Sequence, residues 1–452
     1  MSENAQEIGD LPPMAGTDTI RRRALLTRIY DAAIDAVRGE NLVAARSRLV
    51  GDTWIYESGG QRFEWPLDPA GRVIAIGAGK AAGSLLAGLE KVLGDRLDGG
   101  CAIVKEGHGE PLRRIELFEA GHPIPDERGV RATTAMLDFL DGLGPHDNVF
   151  IALTGGASAL MVAPADGITL AEKAEVTDVL LASGANIAEI NTIRKHLSKV
   201  KGGRLLDAIH PARSLTLMIS DVPGNDLAMI GSGPTLRDAT TSREALDILE
   251  RYGVTRKIPR SVLEILERPA PSPNAPTDDR ASHLVLADSN SALAAAEAVA
   301  VREGYRTRIV DAHMDNDTHD AARSFAASMT AAANGACSPT VFLAAGETTL
   351  KVRGNGRGGR NQEYAMVAAL ALQGIPNAAL LSSGTDGTDG PTNAAGGFAD
   401  GTTIARARRA GLSAADALAN NDSNTFLAAL DDLHVTGPTG TNVMDLVIGV
   451  VD

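Results

Sequence analysis

VIAIGAGKAAGSL (73–85) runs from four apolar residues through a glycine turn straight into an apolar helical pattern. A continuous apolar run, without alternation, suits a parallel strand covered on both faces. The same order recurs along the chain. TGGASAL (154–160) follows VFIAL, and SDVPGNDLAMIGSGPT (220–235) follows LTLMI. AGETT (345–349) follows VFLA, and SGTDGTDGPTNAAGG (383–397) follows ALLS. Further strand-like runs lie at 102–104, 284–286, 308–310 and 446–450, with helical patterns such as 292–301 and 361–372 between them. This predicts an α/β protein of two doubly wound domains. In open parallel sheets ligands bind beyond the carboxyl ends of strands, and that is where the glycine-rich loops fall.

Upstream of this stretch, an amphipathic helix is predicted around Leu25, Leu26, Ile29, Ala33 and Val37. The segment 1–19 reads as a mobile, polar, proline-containing tail. ERPAPSPNAPTDDRAS (267–282) holds four prolines and reads as a linker. The expected domains are therefore 20–266 and 283–452.

Composition narrows the function. The chain has 452 residues with 43 Lys+Arg against 57 Asp+Glu, a net charge of −14. That balance opposes a general nucleic-acid binder, which needs a basic face. It leaves room for an anionic small substrate in a local basic pocket. Aromatics are only 3%, so the core is built from Ala, Leu, Val and Ile. Two distant cysteines, Cys101 and Cys337, give no metal or disulfide framework. No signal-like or membrane-spanning run is found, and the expectation is a cytoplasmic enzyme, monomeric or homodimeric.

Several loops carry chemistry. Gly77, Gly79 and Ala82 match a loose G-x-G-x-x-G/A fingerprint, which alone does not separate nucleotide binding from a tight turn. Lys80 would stand near a first helical turn, where a cation opposes the helix dipole unless an anion shares the site. The backbone of Gly155 and Gly156, with Ser158, offers a nest for an anion. In NTIRKHLSKVKGGR (191–204), Asn191, Arg194 and Lys195 share a helix face suited to a carboxylate or phosphate, or to a solvated basic surface. Asp221, Glu347, Asp386 and Asp389 sit among glycines after strands, where carboxylates hold Mg²⁺, activate a hydroxyl, or close Asx-turns. GNGRGGRNQE (354–363) sets Arg357 and Arg360 just before a helix, and the arginine fork fits phosphate. DAHMDNDTHD (311–320) reads as a solvated loop entering a helix, despite its metal-like look.

These motifs occur together and in a fixed order. GAGKAAGSL, INTIRKHLSKVKGGRL, ISDVPGND…GSGPT, AGETT, GRGGRNQE, GTDGTDGPT and VTGPTGTNV run through nearly the whole chain after the tail. On them the chain resembles the class II glycerate 2-kinases, whose C-terminal part is the MOFRL domain and whose members are also called hydroxypyruvate reductases. The resemblance implies a Rossmann-like first domain and a MOFRL-type α/β second domain. It implies ATP- and Mg²⁺-dependent phosphorylation of the 2-hydroxyl of D-glycerate to 2-phosphoglycerate in an interdomain cleft. By the same resemblance Lys80 and Arg360 match the catalytic cations, with Asp221 and Asp386 catalytic beside them. Gly77, Gly79, Gly155, Gly156, Ser158, Arg194, Glu347, Arg357 and Asp389 become ligand contacts, and Asp221, Asp386 and Asp389 metal ligands. Three positions depart from the pattern: Asn225 and Asn393 stand where acids are usual, and Met444 where an asparagine is usual. They bear on which short hydroxy acid is used. The alternatives are a kinase for another such acid, an NAD(P)H-dependent hydroxypyruvate reductase with Glu90, Asp95 or Asp98 at the ribose, or a non-catalytic anion binder.

Overall fold

The computed structural model describes residues 17–268, 280–335 and 338–452. The tail up to residue 16, most of the proline-rich segment (269–279) and residues 336–337, with Cys337, fall outside them. Cys101 is a buried free thiol. The chain divides into two compact units, one of Val37–Asp288 with Gly440–Val443, the other of the remaining residues. Among the described residues no helix is long and apolar enough to cross a membrane.

In the first unit, three short antiparallel strands come first: β1 (Ser47–Val50), β2 (Thr53–Ser58) and β3 (Gln61–Pro66). Then come β4 (Val73–Ala78), β5 (Gly99–Lys105), β6 (Ile115–Ala120), β7 (Asn148–Leu153), β8 (Arg213–Ile219) and β9 (Ala281–Ala287). The latter six form one parallel sheet in the order β6-β5-β4-β7-β8-β9. Counted from β4, the order is the doubly wound 3-2-1-4-5-6. Its switch point lies between β4 and β7, so the GAGK and TGGAS loops flank the crevice where such sheets take ligands. Every residue of β4 and β7 is buried, as their unbroken apolar sequences require.

The second unit carries β10 (Arg306–Met314), β11 (Thr340–Gly346), β12 (Ala378–Gly384), β13 (Gly396–Asp400), β14 (Leu433–His434) and β15 (Asp445–Val451). It is α/β, but its sheet is mixed: in the order β10-β11-β15-β12-β13-β14 only β10 and β11 pair in parallel. The last strand inserts between β11 and β12, antiparallel to both. Its first residue, Asp445, pairs in register with Gly346 and Gly384, the final residues of those neighbours. The helix Thr17–Val37 belongs largely to this unit. Its face of Leu25, Leu26, Ile29, Tyr30 and Ala33 is buried, and burying each large apolar side chain contributes about 1.5–3 kcal/mol. Tyr30 Oη donates to the Gly384 carbonyl at 2.7 Å.

The expected boundaries at 20–266 and 283–452 run differently from this division. Residues 17–19, expected in the tail, already belong to the first helix. β9 follows the proline-rich segment yet completes the first unit's sheet, because its backbone pairs along β8. The N-terminal helix is held in the second unit by Tyr30 and by Arg22, whose Nε donates to the Asp452 carboxylate at 2.6 Å. Residues 440–443 return to the first unit, where Gly39 N donates to the Gly440 carbonyl and Thr441 Oγ1 to that of Val37. β6 and the β1–β3 ribbon carry no clear sequence signal. Edge and hairpin strands with interspersed charges lack the apolar run that marks the others.

Candidate active site

Two groups of the singled-out residues gather, one in each unit. In the first unit, the turn after β4 is fixed by close backbone approach. Gly79 has φ +132°, and a Cβ there would lie 2.1 Å from Thr154 Oγ1, which only glycine avoids. Thr154 Oγ1 accepts from Ala81 N at 3.1 Å, and Lys80 N donates to the Gly155 carbonyl at 2.9 Å. The two switch-point loops are thereby tied together. Gly77 is a buried residue of β4 itself.

Around Gly155 and Gly156 the side chains crowd. A Cβ on Gly155 would meet Asp221 Oδ2 at 2.0 Å and Asn442 Nδ2 at 2.1 Å. One on Gly156, at φ +87°, would meet His122 at 3.0 Å and the Lys80 stem at 3.3 Å. Asn442 Nδ2 donates to Asp221 Oδ2 at 3.0 Å. Lys80 and Asp221 are half-buried. Ser158 lies two residues on. Its Oγ accepts from Arg194 Nη2 at 2.8 Å and Lys201 Nζ at 2.9 Å, and pairs with Ser232 Oγ at 2.9 Å. Arg194 comes from the helix Ile187–His196, whose start is fixed by a capping box of Asn186 and Glu189. Burial lowers the pKa of Arg194 from its ordinary value.

The second unit builds its group where β11 and β12 end beside Asp445. The helix Arg360–Ala371 brings Arg360 to this edge. Its Nε and Nη2 fork onto the two Asp445 oxygens at 2.5 and 3.0 Å, and Nη1 reaches Glu347 Oε1 at 2.7 Å. Burial opposes the charge on Arg360, but the Asp445 and Glu347 carboxylates outweigh it and raise its pKa.

The remaining acids are engaged in local structure. Asp389 lies under the same helix, where Oδ1 accepts from Asn361 N at 3.1 Å and Oδ2 from Gln362 N at 2.9 Å. It supplies the cap that Gly359, lacking a side chain, cannot, and a Cβ on Gly359 would collide with its carboxylate at 2.3 Å. Burial pushes the Asp389 pKa up to about 6, against the hydrogen bonds from Gln362. Asp386 Oδ1 accepts from Thr388 N at 2.9 Å, an Asx-turn. Arg357 is exposed, and its loop is fixed through the backbone, with N donating to Asp422 Oδ1 at 2.9 Å. Of DAHMDNDTHD, the first four residues end β10 rather than lying in a loop, and Asp317 caps the helix Thr318–Ala333. Among the described residues no three of His, Cys, Asp and Glu gather as a metal group.

Residues 25–267 match the family model described as a domain of unknown function, DUF4147, and residues 340–445 match the MOFRL family. The chain is 41% identical to the D-glycerate 2-kinase of Thermotoga maritima, over 84% of this chain and 91% of that protein. It is 40% identical to the glycerate 2-kinase of Pyrococcus horikoshii, over 95% and 97%. The crystal structure of the Thermotoga maritima glycerate kinase superposes with a TM-score of 0.82 at 36% identity, covering 96% of this chain and 100% of that one. The chain belongs to the class II glycerate kinase family.

Against the expected glycerate kinase pattern, two of the three departures sit on left-handed backbone. Asn225 has φ +56° and donates through Nδ2 to Asp288 at 2.8 Å; Met444 has φ +72° and is buried. Asn393 is exposed. Four further side chains belong to these groups and do not stand out in the sequence: His122, Lys201, Asn442 and Asp445. His122 follows β6, a strand without an apolar run, so its strand-end position has no signal. Lys201, Asn442 and Asp445 lie within or beside motifs already quoted, but only the tertiary fold shows which way they turn.

Proposed function

We propose that the protein transfers the γ-phosphoryl group of ATP to the 2-hydroxyl of D-glycerate, giving 2-phosphoglycerate. The observation that carries this reading is Lys80 beside the paired glycines at the switch point of a doubly wound sheet, in a chain of this family. Phosphoryl transfer asks for positioning and for positive charge on the moving group more than for covalent chemistry. In this reading Lys80 supplies that charge while the Gly155–Gly156 backbone admits phosphate oxygens closely. Asp221, held by Asn442, receives the hydroxyl proton. In the second unit Arg360 is the cation of the reading, its direction set by Asp445 and Glu347.

Mg²⁺ in such reactions uses one or two carboxylates and takes its other ligands from substrate phosphates and water. Asp386 and Asp389 fit this poorly, since a turn and a helix cap already engage them. Half-buried Asp221 is the member of the expected set that fits, and the ion would neutralise phosphate charge there.

The test is ³¹P NMR of the purified protein with Mg·ATP and D-glycerate. A 2-phosphoglycerate resonance is expected. A 3-phosphoglycerate resonance would overturn the regiochemistry, and no phosphorylated product from D-glycerate would overturn the substrate.

A further inference from the structure

Behind Ser158 the first unit holds three basic side chains without a matching acid. Lys201 is fully buried, and its Nζ donates to the Ser158 carbonyl at 2.7 Å and to Ser158 Oγ at 2.9 Å. Arg194 donates to the same Oγ at 2.8 Å. Lys173, also buried, donates to the Leu197 carbonyl at 3.1 Å. Among the described residues none of these three cations forms an ion pair with a carboxylate; the neighbouring acid, Asp238, faces Lys195 and His196 instead. Buried charge is costly to retain unless a counter-charge meets it. Burial, with Lys173 and Arg194 close by, holds the Lys201 pKa well below its ordinary value, and Lys173 is pushed down to about 7.

Donor capacity is in surplus here. Lys201 uses two of its three N–H bonds and Arg194 one of five, and both uses converge on Ser158. With two N–H donors on its oxygen, Ser158 directs its own proton towards Ser232, which in turn lies 3.4 Å from Asn191 Oδ1. Ser158 is thus an acceptor for the cations and not a nucleophile. Ser158 and Arg194 are half-buried rather than sealed in the core.

We propose that Ser158, Arg194 and Lys201 form the subsite for the carboxylate of the hydroxy acid, and that Lys201 restricts the enzyme to acids over the corresponding polyols. This rests on the kinase reading for its substrate class. A planar carboxylate presents two oxygens to the arginine fork, and its charge favours the protonated form of the buried Lys201 below it. Lys80, against Gly156, serves the phosphoryl group in the kinase reading.

Lys201→Met roughly keeps the length of the side chain and removes its charge. Two readouts are combined: KM for each substrate with the Mg·ATP assay, and direct calorimetric binding of D-glycerate, glycerol and inorganic phosphate. The expected result is an unchanged or higher Tm, with KM and Kd for D-glycerate raised about tenfold or more and KM for ATP within about twofold of wild type. A lower Tm with both KM values unchanged would make Lys201 structural and overturn the proposal. A rise in KM for ATP alone, with inorganic phosphate binding lost, would overturn it in favour of a nucleotide phosphate. Should Lys201→Met fail to fold, Arg194→Gln at the half-buried position carries the same expectations. D-glycerate binding that depends on Lys201 in a protein forming no phosphorylated product would remove the kinase reading and leave the carboxylate subsite standing. Product formation with D-glycerate KM unchanged in both variants would do the reverse, and a wild-type protein binding no D-glycerate overturns both.

Discussion

Asp389 should make the second unit less stable as pH rises, and Asp389→Asn should remove that dependence. Its carboxyl is buried, and its pKa moves from 3.8 to about 6 in the folded protein. The native state therefore keeps a proton that the unfolded chain has already released between these values. A group whose folded pKa is raised contributes stability that is complete below the unfolded pKa and is lost as pH climbs through the folded one. The shift of about 2 units corresponds to about 3 kcal/mol at about 1.36 kcal/mol per unit. The loss should fall between about pH 4 and pH 6.5 and level off above. Asparagine cannot ionise. It keeps one oxygen for Asn361 N or Gln362 N and turns an amide donor towards the other, a pH-independent penalty of about 1–3 kcal/mol. The stability difference between the two proteins should thus swing by about 3 kcal/mol towards the variant from about pH 4 to pH 7.5. Urea denaturation followed by far-UV circular dichroism at each pH would measure it, with amide exchange across 360–371 locating the effect. Tryptophan fluorescence would not serve, because Trp54 and Trp65 lie in the first unit. A difference that stays flat within about 1 kcal/mol across this range would show that the cap bonds, not burial, control the carboxyl.

Gly155→Ala should separate Asp221 from Asn442, because the new Cβ would lie 2.0 Å from one and 2.1 Å from the other. Overpacking of this kind costs about 1–3 kcal/mol, and turnover should fall by about a hundredfold; near-normal kcat would remove that pair from the mechanism. Arg360→Lys keeps the charge but cannot fork onto Asp445 while reaching Glu347. A loss of about tenfold or more in kcat/KM is expected, and full activity would reduce Arg360 to a point charge. Met444→Asn relieves a left-handed conformation by about 1 kcal/mol but gives up a buried thioether worth about 2 kcal/mol. The expected net is a slightly lower Tm, and a clear rise would mean that backbone strain dominates at this position.

Much of the fold was legible because two physical signals coincide in this chain. Runs such as VIAI and VFIAL are apolar throughout, as strands buried on both faces must be, and each is followed by glycines whose backbone has somewhere particular to go. Gly79 is the clearest case, since its φ of +132° and contact with Thr154 explain why no other residue stands there. Pairing direction was not legible. β15 is as fully buried as β4 yet runs antiparallel to both neighbours, because burial on two faces sets composition and not direction. The proline-rich segment marked an interruption in the chain, but it says nothing of which sheet the next strand joins, and β9 joins the first.

For the candidate site, the loops were legible and the division of labour within them was not. Asp386 and Asp389 stand in the repeat GTDGTDG with the same local sequence, and local sequence is all that motif reading has. One closes its own turn through Thr388 N; the other reaches Asn361 N, 28 residues earlier in the chain. That second partner exists only because glycines precede the helix carrying Arg360, leaving its first N–H groups without a side-chain cap and leaving room for a distant carboxylate. The same logic applies to Asp445. Nothing in TNVMD distinguishes its aspartate until β15 is inserted between β11 and β12, whereupon the strand's first residue must lie at the ends of both. An acid buried at that point requires a cation, and Arg360 meets it with two parallel hydrogen bonds. The orientation of the arginine is thus a consequence of strand order in the sheet. Changing Asp445 should disturb Arg360 more than changing any residue adjacent to Arg360 in sequence.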